Sequence, residues 1–167
     1  VSTNPYTSGY YNVSNEPSFL TTLLYNYIGK PWKSAAVTRK ILQESFKTGI
    51  DGLPGNDDSG SMSAWYLFHS MGFYPVAGTD VYLISSPSNQ RSEISISPEK
   101  KITIIAKKAS RENRYIQSCR FNGKPYNRSW FRHSDISKGA VIEFEMGDKP
   151  SQWAVDGELP PSLSYEY

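Results

Sequence analysis

Two carboxylates stand side by side in the run Gly55-Asn56-Asp57-Asp58-Ser59-Gly60. Adjacent carboxylates repel each other unless their surroundings favour negative charge. An apolar stretch with helical character opens directly after them, at Ser61. The first N–H groups of a helix lack intrahelical partners, and the dipole there is positive. A carboxylate held ionised in a glycine-rich loop above such a helix suits a general base acting on water. The same residues also make an ordinary acidic turn with an N-cap, because Asp and Gly are common turn formers. The loop alone leaves both readings open. It is not an EF-hand, since the Asp/Asn spacing followed by Gly and a late Glu is absent.

A second candidate stretch is Ser14-Asn15-Glu16-Pro17-Ser18. Glu16 falls at a predicted helix start, where a carboxylate is stabilised whether or not it binds anything. Trp32, after Pro31, and the pair Trp65-Tyr66 offer faces for stacking on sugars, although such aromatics more often belong to a core. His69 and His133 lack the spacing of a zinc pair. No glycine-rich phosphate loop follows a strand, which argues against nucleotide binding. Cys119 is the single cysteine. It sits in an alternating pattern and reads as a small core residue rather than a nucleophile, and it excludes a disulfide within the chain.

The elements that must position these residues fall into two halves with different periods. Up to about Pro75 the chain reads as helical. Leu20, Leu23, Leu24, Tyr27 and Ile28 give one apolar helix face, with Ser14 or Asn15 as the expected cap and Gly29 as the stop. A second helix is expected from Pro31 to about Thr48, ended by Gly49. A third starts near Ser61 and stops at Gly72. Its Met62, Trp65, Tyr66, Leu67, Phe68 and Met71 leave almost no polar face, the signature of a buried helix. Beyond Pro75 the period becomes two. Strands are expected at Val81 to Ser85, Glu93 to Ser97, Ile102 to Ala106, Tyr115 to Phe121 and Val141 to Met146. Asn122-Gly123 is a hairpin turn signal. Short polar turns between successive strands suggest an antiparallel sheet or half of a sandwich. The tail with Pro150, Pro160 and Pro161 is expected to be irregular.

Charge and composition exclude several partners. The 167 residues carry 18 Lys and Arg against 16 Asp and Glu, a balance with no electrostatic footprint for nucleic acid or an anionic membrane. No apolar run approaches the ~20 residues that span a bilayer. Val1 opens the chain mid-pattern and without a signal peptide, as in an excised segment. Two glycosylation sequons, Asn12-Val13-Ser14 and Asn127-Arg128-Ser129, lean toward a secreted or extracellular protein.

Longer motifs then narrow the reading. Asn15-Glu16-Pro17 is followed by Leu24-Tyr25-Asn26-Tyr27-x-Gly29-x-Pro31-Trp32-Lys33. Next comes the run from Asp51-Gly52-Leu53-Pro54-Gly55-Asn56-Asp57-Asp58-x-Gly60 through Met62-Ser63-Ala64-Trp65-Tyr66-x-Phe68 to Gly72-Phe73-Tyr74-Pro75-Val76. Tyr115-Ile116-Gln117-Ser118, Asn122-Gly123-Lys124-Pro125-Tyr126 and Phe144-Glu145-Met146-Gly147 complete the set. In these motifs, which cover nearly the whole chain, the sequence resembles glycoside hydrolase family 92.

That resemblance implies an α+β chain. Residues 1–76 would form the last helices of an (α/α)6 barrel with the acidic active-site loop, and residues 77–167 an antiparallel β segment completing a β-sandwich. It implies part of an exo-acting, inverting α-mannosidase that uses Ca2+ and acts on mannose-containing glycans. Asp58 matches the family's general base, with Asp57 as second choice. Asn15, Glu16 and Asn56 are implied in substrate binding. Asn15, Glu16, Asn56 and Asp57 are the candidate calcium ligands, and the ligand set is left open. The general acid lies in upstream helical sequence, and no segment here matches it, so the missing N-terminal part of the parent enzyme becomes a required partner. Phe19 and Leu20 depart from the family, many of whose members have histidine or a polar residue there, and point to a subgroup with a different linkage preference. The competing readings are a non-catalytic carbohydrate-binding module and a structural β domain with a helical extension. The tandem Asp at a buried helix start speaks against the first, and the all-round apolar helix against the second.

Overall fold

The computed structural model describes residues 7–8 and 11–162. A short ladder, β1 (Thr7–Ser8) with β2 (Tyr11–Asn12), leads into a 3₁₀ turn at Glu16–Ser18 and a 3₁₀ helix at Thr21–Ile28. An α-helix was expected there. The spacing of Leu20, Leu23, Leu24, Tyr27 and Ile28 serves either helix type, because side chains three apart share a face in both. Only Leu23 of the five is buried, while Leu24 and Ile28 are 50% and 59% exposed. Neither Ser14 nor Asn15 caps it. Asn15 is extended and makes no side-chain capping bond, and the Ser14 hydroxyl donates to Asn12 Oδ1. Gly29 does end the helix, in the left-handed region at φ 65°, with the Lys30 N–H closing on the Tyr25 carbonyl.

Helix α1 (Pro31–Ser45) begins on a proline, whose missing N–H costs nothing at a first helical position. It stops three residues before the expected end, where Phe46 turns extended. Helix α2 (Ser61–Met71) has the expected bounds and ends on Gly72 at φ 97°. Its burial differs from expectation. Met62, Trp65, His69 and Ser70 are buried, but Tyr66 and Leu67 are 41% and 59% exposed. The side of this helix that carries Tyr66 and Leu67 is therefore only partly covered within the described residues, by Phe46 among others.

The strands that follow form two further sheets. The smaller, in the order β3-β4-β9, joins β3 (Phe73–Pro75), β4 (Val81–Ile84) and β9 (Trp130–Arg132). The larger has the order β5-β6-β10-β7-β8 and joins β5 (Arg91–Ser97), β6 (Lys100–Lys107), β7 (Tyr115–Phe121), β8 (Lys124–Pro125) and β10 (Ala140–Gly147). The five expected strands are all present, but the sheet is not wholly antiparallel. β10 pairs with β6 in parallel, Ala140 opposite Ile102 and Phe144 opposite Ala106. Its other neighbour, β7, is antiparallel. The Asn122-Gly123 turn has φ of 48° and 77°, the doubly left-handed geometry that matches strand twist in a two-residue hairpin. Residues 148–162 form no helix or strand.

Strand alternation makes the small sheet the middle layer. Val81 and Leu83 of β4 and Trp130 of β9 face the 3₁₀ helix and pack on Leu23. Ile84, Phe73 and Phe131 join the opposite core, with Ile104, Ile142, Phe144 and Cys119 of the large sheet. Cys119 is a buried core thiol, as expected, and burial pushes its pKa up to about 12. Asn26 ties the layers together. Fully buried, its amide donates to the carbonyls of Ile84 (2.8 Å) and Ser129 (3.0 Å), where β4 ends and β9 is about to begin.

Candidate functional site

The acidic loop and the Asn15-Glu16 segment, 45 residues apart between Glu16 and Ser61, meet at the N-terminus of α2. Ser61 Oγ donates to Glu16 Oε1 (3.3 Å) and to the Asp57 carbonyl (3.1 Å). A close approach elsewhere in the loop makes the meeting possible. A Cβ on Gly55 would collide with the Cβ of Ser14, so the loop lies against the residue two before Glu16 only because position 55 carries no side chain. Replacing Gly55 with alanine in the parent protein is expected to separate the two segments. The variant should lose about 1–3 kcal/mol of stability, the usual cost of overpacking. Thermal unfolding measures the effect, and an unchanged melting point would contradict the contact.

The two aspartates separate into different roles. Asp57 Oδ1 accepts from the Ser63 backbone N–H (2.8 Å), and Oδ2 accepts from the Ser63 hydroxyl (3.0 Å). Its carboxylate thus satisfies one of the unpaired N–H groups of the first turn of α2, a capping job done from outside the usual cap position, which Gly60 occupies. Asp58 has no side-chain partner among the described residues. It is exposed and held at φ 47°, followed by Ser59 at φ 60°. Two successive non-glycine residues in the left-handed region are uncommon. They turn the chain sharply between the capping aspartate and the helix. Asn15, Glu16 and Asn56 are exposed, and the side chains of Asn15 and Asn56 make no hydrogen bond among the described residues.

All five residues singled out from the sequence therefore lie on segments that adjoin at one helix end. Ser61, Ser63 and Gly55 were missed. The signal for Ser63 was present, a hydroxyl at the third position of a helix with a carboxylate just upstream. An open cleft of about 530 Å³, lined by residues including Phe46, Leu53, Ser63 and Tyr66, adjoins the loop through Ser63.

The aromatic candidates resolve mostly as core. Trp65 is fully buried, with its indole N–H donating to the Phe19 carbonyl. Trp32 is half-buried, with Lys33 Nζ 5.4 Å from its ring centre. Phe19 is 6% exposed and belongs to the cluster with Val13, Ile41, Met62 and Trp65, and Leu20 packs on the Leu23 cluster. The two residues that depart from the family pattern therefore turn inward, beneath the site. Neither histidine joins it. His69 is buried between the rings of Trp65 and Tyr74, with Nδ1 at 3.2 Å from Ser85 Oγ. His133 pairs with the Tyr82 hydroxyl. No group of three or more His, Cys, Asp or Glu gathers among the described residues.

Residues 2–148 match the Glycosyl hydrolase family 92 catalytic domain. The chain belongs to glycosyl hydrolase family 92. It is 36% identical over 155 residues to an uncharacterized secreted glycosidase of Arthroderma benhamiae, an alignment covering 90% of this chain and 20% of that protein. A family GH92 α-mannosidase from Bacteroides thetaiotaomicron, solved in complex with mannoimidazole, superposes with a TM-score of 0.87 at 39% identity. That match covers 90% of this chain and 20% of the other. A GH92 inverting mannosidase from the same organism gives a TM-score of 0.86 at 31% identity, over 93% of this chain and 22% of its own. This family 92 chain thus spans about a fifth of the length of the relatives it matches, and its mixed α+β fold corresponds to that part of them.

Calcium takes six to eight oxygen ligands. Asn15, Glu16, Asn56 and Asp58 offer oxygens of the right kind, but the Asp57 carboxylate is engaged by Ser63. With the Asp57 carboxylate so engaged, the Glu16 and Asp58 carboxylates and the Asn15 and Asn56 amide oxygens are the exposed side chains of these segments that could join a calcium shell. Among the described residues, no helix is long and apolar enough to cross a membrane.

Proposed function

We propose that the chain is the C-terminal part of an exo-acting, inverting α-mannosidase, and that it supplies the general base, Asp58. One observation supports this above the others. Of two adjacent carboxylates at the start of α2, Asp57 is consumed in holding the helix, while Asp58 is exposed and has no side-chain partner among the described residues. An inverting glycosidase needs a base that takes a proton from water on the face of the sugar opposite the leaving group. The acid that protonates the leaving oxygen stands roughly 6.5–9.5 Å from it. Asp58 is free to accept that proton. Glu16, Asn15 and Asn56 line the same edge and can accept from or donate to sugar hydroxyls. The acid belongs to the parent's upstream sequence. On this reading residues 1–76 close an (α/α)6 barrel, residues 77–167 return to a β-sandwich, calcium bound with upstream ligands holds neighbouring sugar hydroxyls, and the parent is secreted to act on mannose-containing glycans.

The test is the stereochemistry and metal dependence of the full-length parent. Proton NMR of an α-mannoside digest is expected to show β-mannose first, with activity lost on chelation and restored by calcium. Release of α-mannose as the initial product, or full activity after chelation, would reject the reading. Residues 1–167 alone are expected to be inactive and to self-associate, because Leu24, Ile28, Tyr66, Leu67 and Ile96 are left exposed and the outer edge of β5 is unpaired. Light scattering and an α-mannoside assay check this, and a monodisperse chain with calcium-dependent turnover would contradict both parts.

A further inference from the structure

We propose that Asn127 is an N-glycosylation site, an inference that rests on the secretion reading above. The sequon Asn127-Arg128-Ser129 lies on the link between β8 and β9, and three observations go beyond the motif.

First, the acceptor residue itself is open. Residues 122–125, 127 and 128 are exposed, while Ser129 turns inward. Arg128 pairs with Glu158 at 2.7 Å, their side chains 45% and 57% exposed. The face around this pair is charged, unlike the one carrying Leu67 and Ile96. Second, the amide is poised for the modification. Asn127 Oδ1 accepts from the Ala154 N–H at 2.7 Å, and Nδ2, the atom that would carry the sugar, has no acceptor among the described residues. A glycosylated amide keeps its carbonyl oxygen, so the bond to Ala154 survives. Third, the site is held on a fixed turn. Trp153 donates to the Tyr126 carbonyl (2.8 Å) and the Tyr126 hydroxyl to the Trp130 carbonyl (2.7 Å). A shallow, open depression bordered by Pro125, Arg128, Gly157 and Glu158 adjoins Asn127 and leaves room for the first sugar. The other sequon is different. Asn12 is half-buried, its Oδ1 receives both the N–H and the hydroxyl of Ser14, and Ser14 packs against the acidic loop.

In the reaction, Nδ2 of Asn127 attacks the anomeric carbon of an oligosaccharide carried on a polyprenyl diphosphate. The C–N bond forms, the bond from the anomeric carbon to the diphosphate oxygen breaks, and the diphosphate leaves with the electron pair. One Nδ2 proton passes to a base of the transferase.

The experiment is to secrete the full-length parent from a eukaryotic host behind a supplied signal peptide, which tests the site whatever the native compartment and whatever the enzyme's activity. After peptide-N-glycosidase treatment in heavy-oxygen water, peptide mapping is expected to find position 127 as labelled aspartate in most secreted molecules. Ser129→Thr should keep the label, and Asn127→Gln and Ser129→Ala should abolish it. Unmodified Asn127 in secreted protein, or a label that persists in Ser129→Ala, would overturn the proposal. If Ser129→Ala fails to be secreted, its intracellular pool is mapped in the same way, and label at Asn127 there overturns the proposal.

Discussion

Replacing Asp58 with asparagine in the full-length parent is expected to lower turnover by ~10²–10⁴-fold, the usual contribution of a general base, while leaving the melting temperature nearly unchanged. Its carboxylate is exposed and has no partner to lose, so the folded state gives up nothing but the proton acceptor. Asparagine also tolerates the left-handed backbone at this position, which makes it a milder change than alanine. Asp57→Asn should behave in the opposite way. It weakens two hydrogen bonds to Ser63 and so costs about 1 kcal/mol of helix capping, with a smaller fall in turnover from the displaced loop. Measuring kcat and thermal unfolding on both variants separates the roles. If Asp58→Asn keeps near-normal kcat and Asp57→Asn does not, the base is the neighbouring residue.

The second large effect concerns acid. Burial lowers the pKa of His69 from 6.5 to about 3, since a charged imidazole is costly without water. The unfolded chain takes up a proton near pH 6.5 and the folded chain does not, so the unfolded state binds more protons throughout the interval between. Stability is therefore complete above about pH 6.5 and declines as pH falls toward 3, by ~1.4 kcal/mol for each pH unit. Over the whole interval the loss is on the order of 5 kcal/mol, a large share of what holds a domain together. His69→Gln removes the titrating group. Its stability at neutral pH should be lower, through lost stacking on Trp65 and Tyr74, but its decline between pH 6.5 and 4 should be shallower by about one proton's worth. Unfolding midpoints of the parent and the variant across that range decide the matter, and parallel curves would show that His69 does not titrate in this way.

The parts of this structure that were legible in the sequence are those written in local residues. Helix α2 starts with its apolar run at Ser61 and stops at Gly72, a residue type that readily takes the positive φ found there. The alternation of Ile142, Phe144 and Met146 marks β10 as a strand with one buried face, which is what the structure has. The Asn122-Gly123 turn carries its geometry in its own dipeptide. What escaped depends on distant partners. The 3₁₀ form of Thr21–Ile28 has the same apolar spacing as an α-helix, so periodicity does not separate them. The parallel pairing of β10 with β6 is set by which strand lies beside which, and neither strand's sequence encodes its neighbour. Burial around α2 was overestimated for a related reason, since a run of apolar residues does not say which of them find neighbours. At the site, Asp57 and Asp58 look equivalent in sequence, and the hydrogen bonds from Ser63 distinguish them.

The placement of β10 between β6 and β7 has a further consequence for how the protein is made. During synthesis, β5, β6 and β7 all leave the ribosome before β10 does, yet β6, paired with β5 on one edge, and β7, paired with β8 on one edge, each keep the other edge for β10, the strand that comes last. Until Ala140–Gly147 has emerged, each presents a long unpaired edge, and Ile102, Ile104 and Phe121 lack the central strand they pack around. The nascent sheet therefore stays open for the time taken to translate more than thirty residues beyond Lys107. Pairings that wait on distant sequence are intrinsically slow and prone to association. Translation speed across the β7–β10 stretch should then bear on the yield of folded protein, beside the equilibrium stability of the finished sheet.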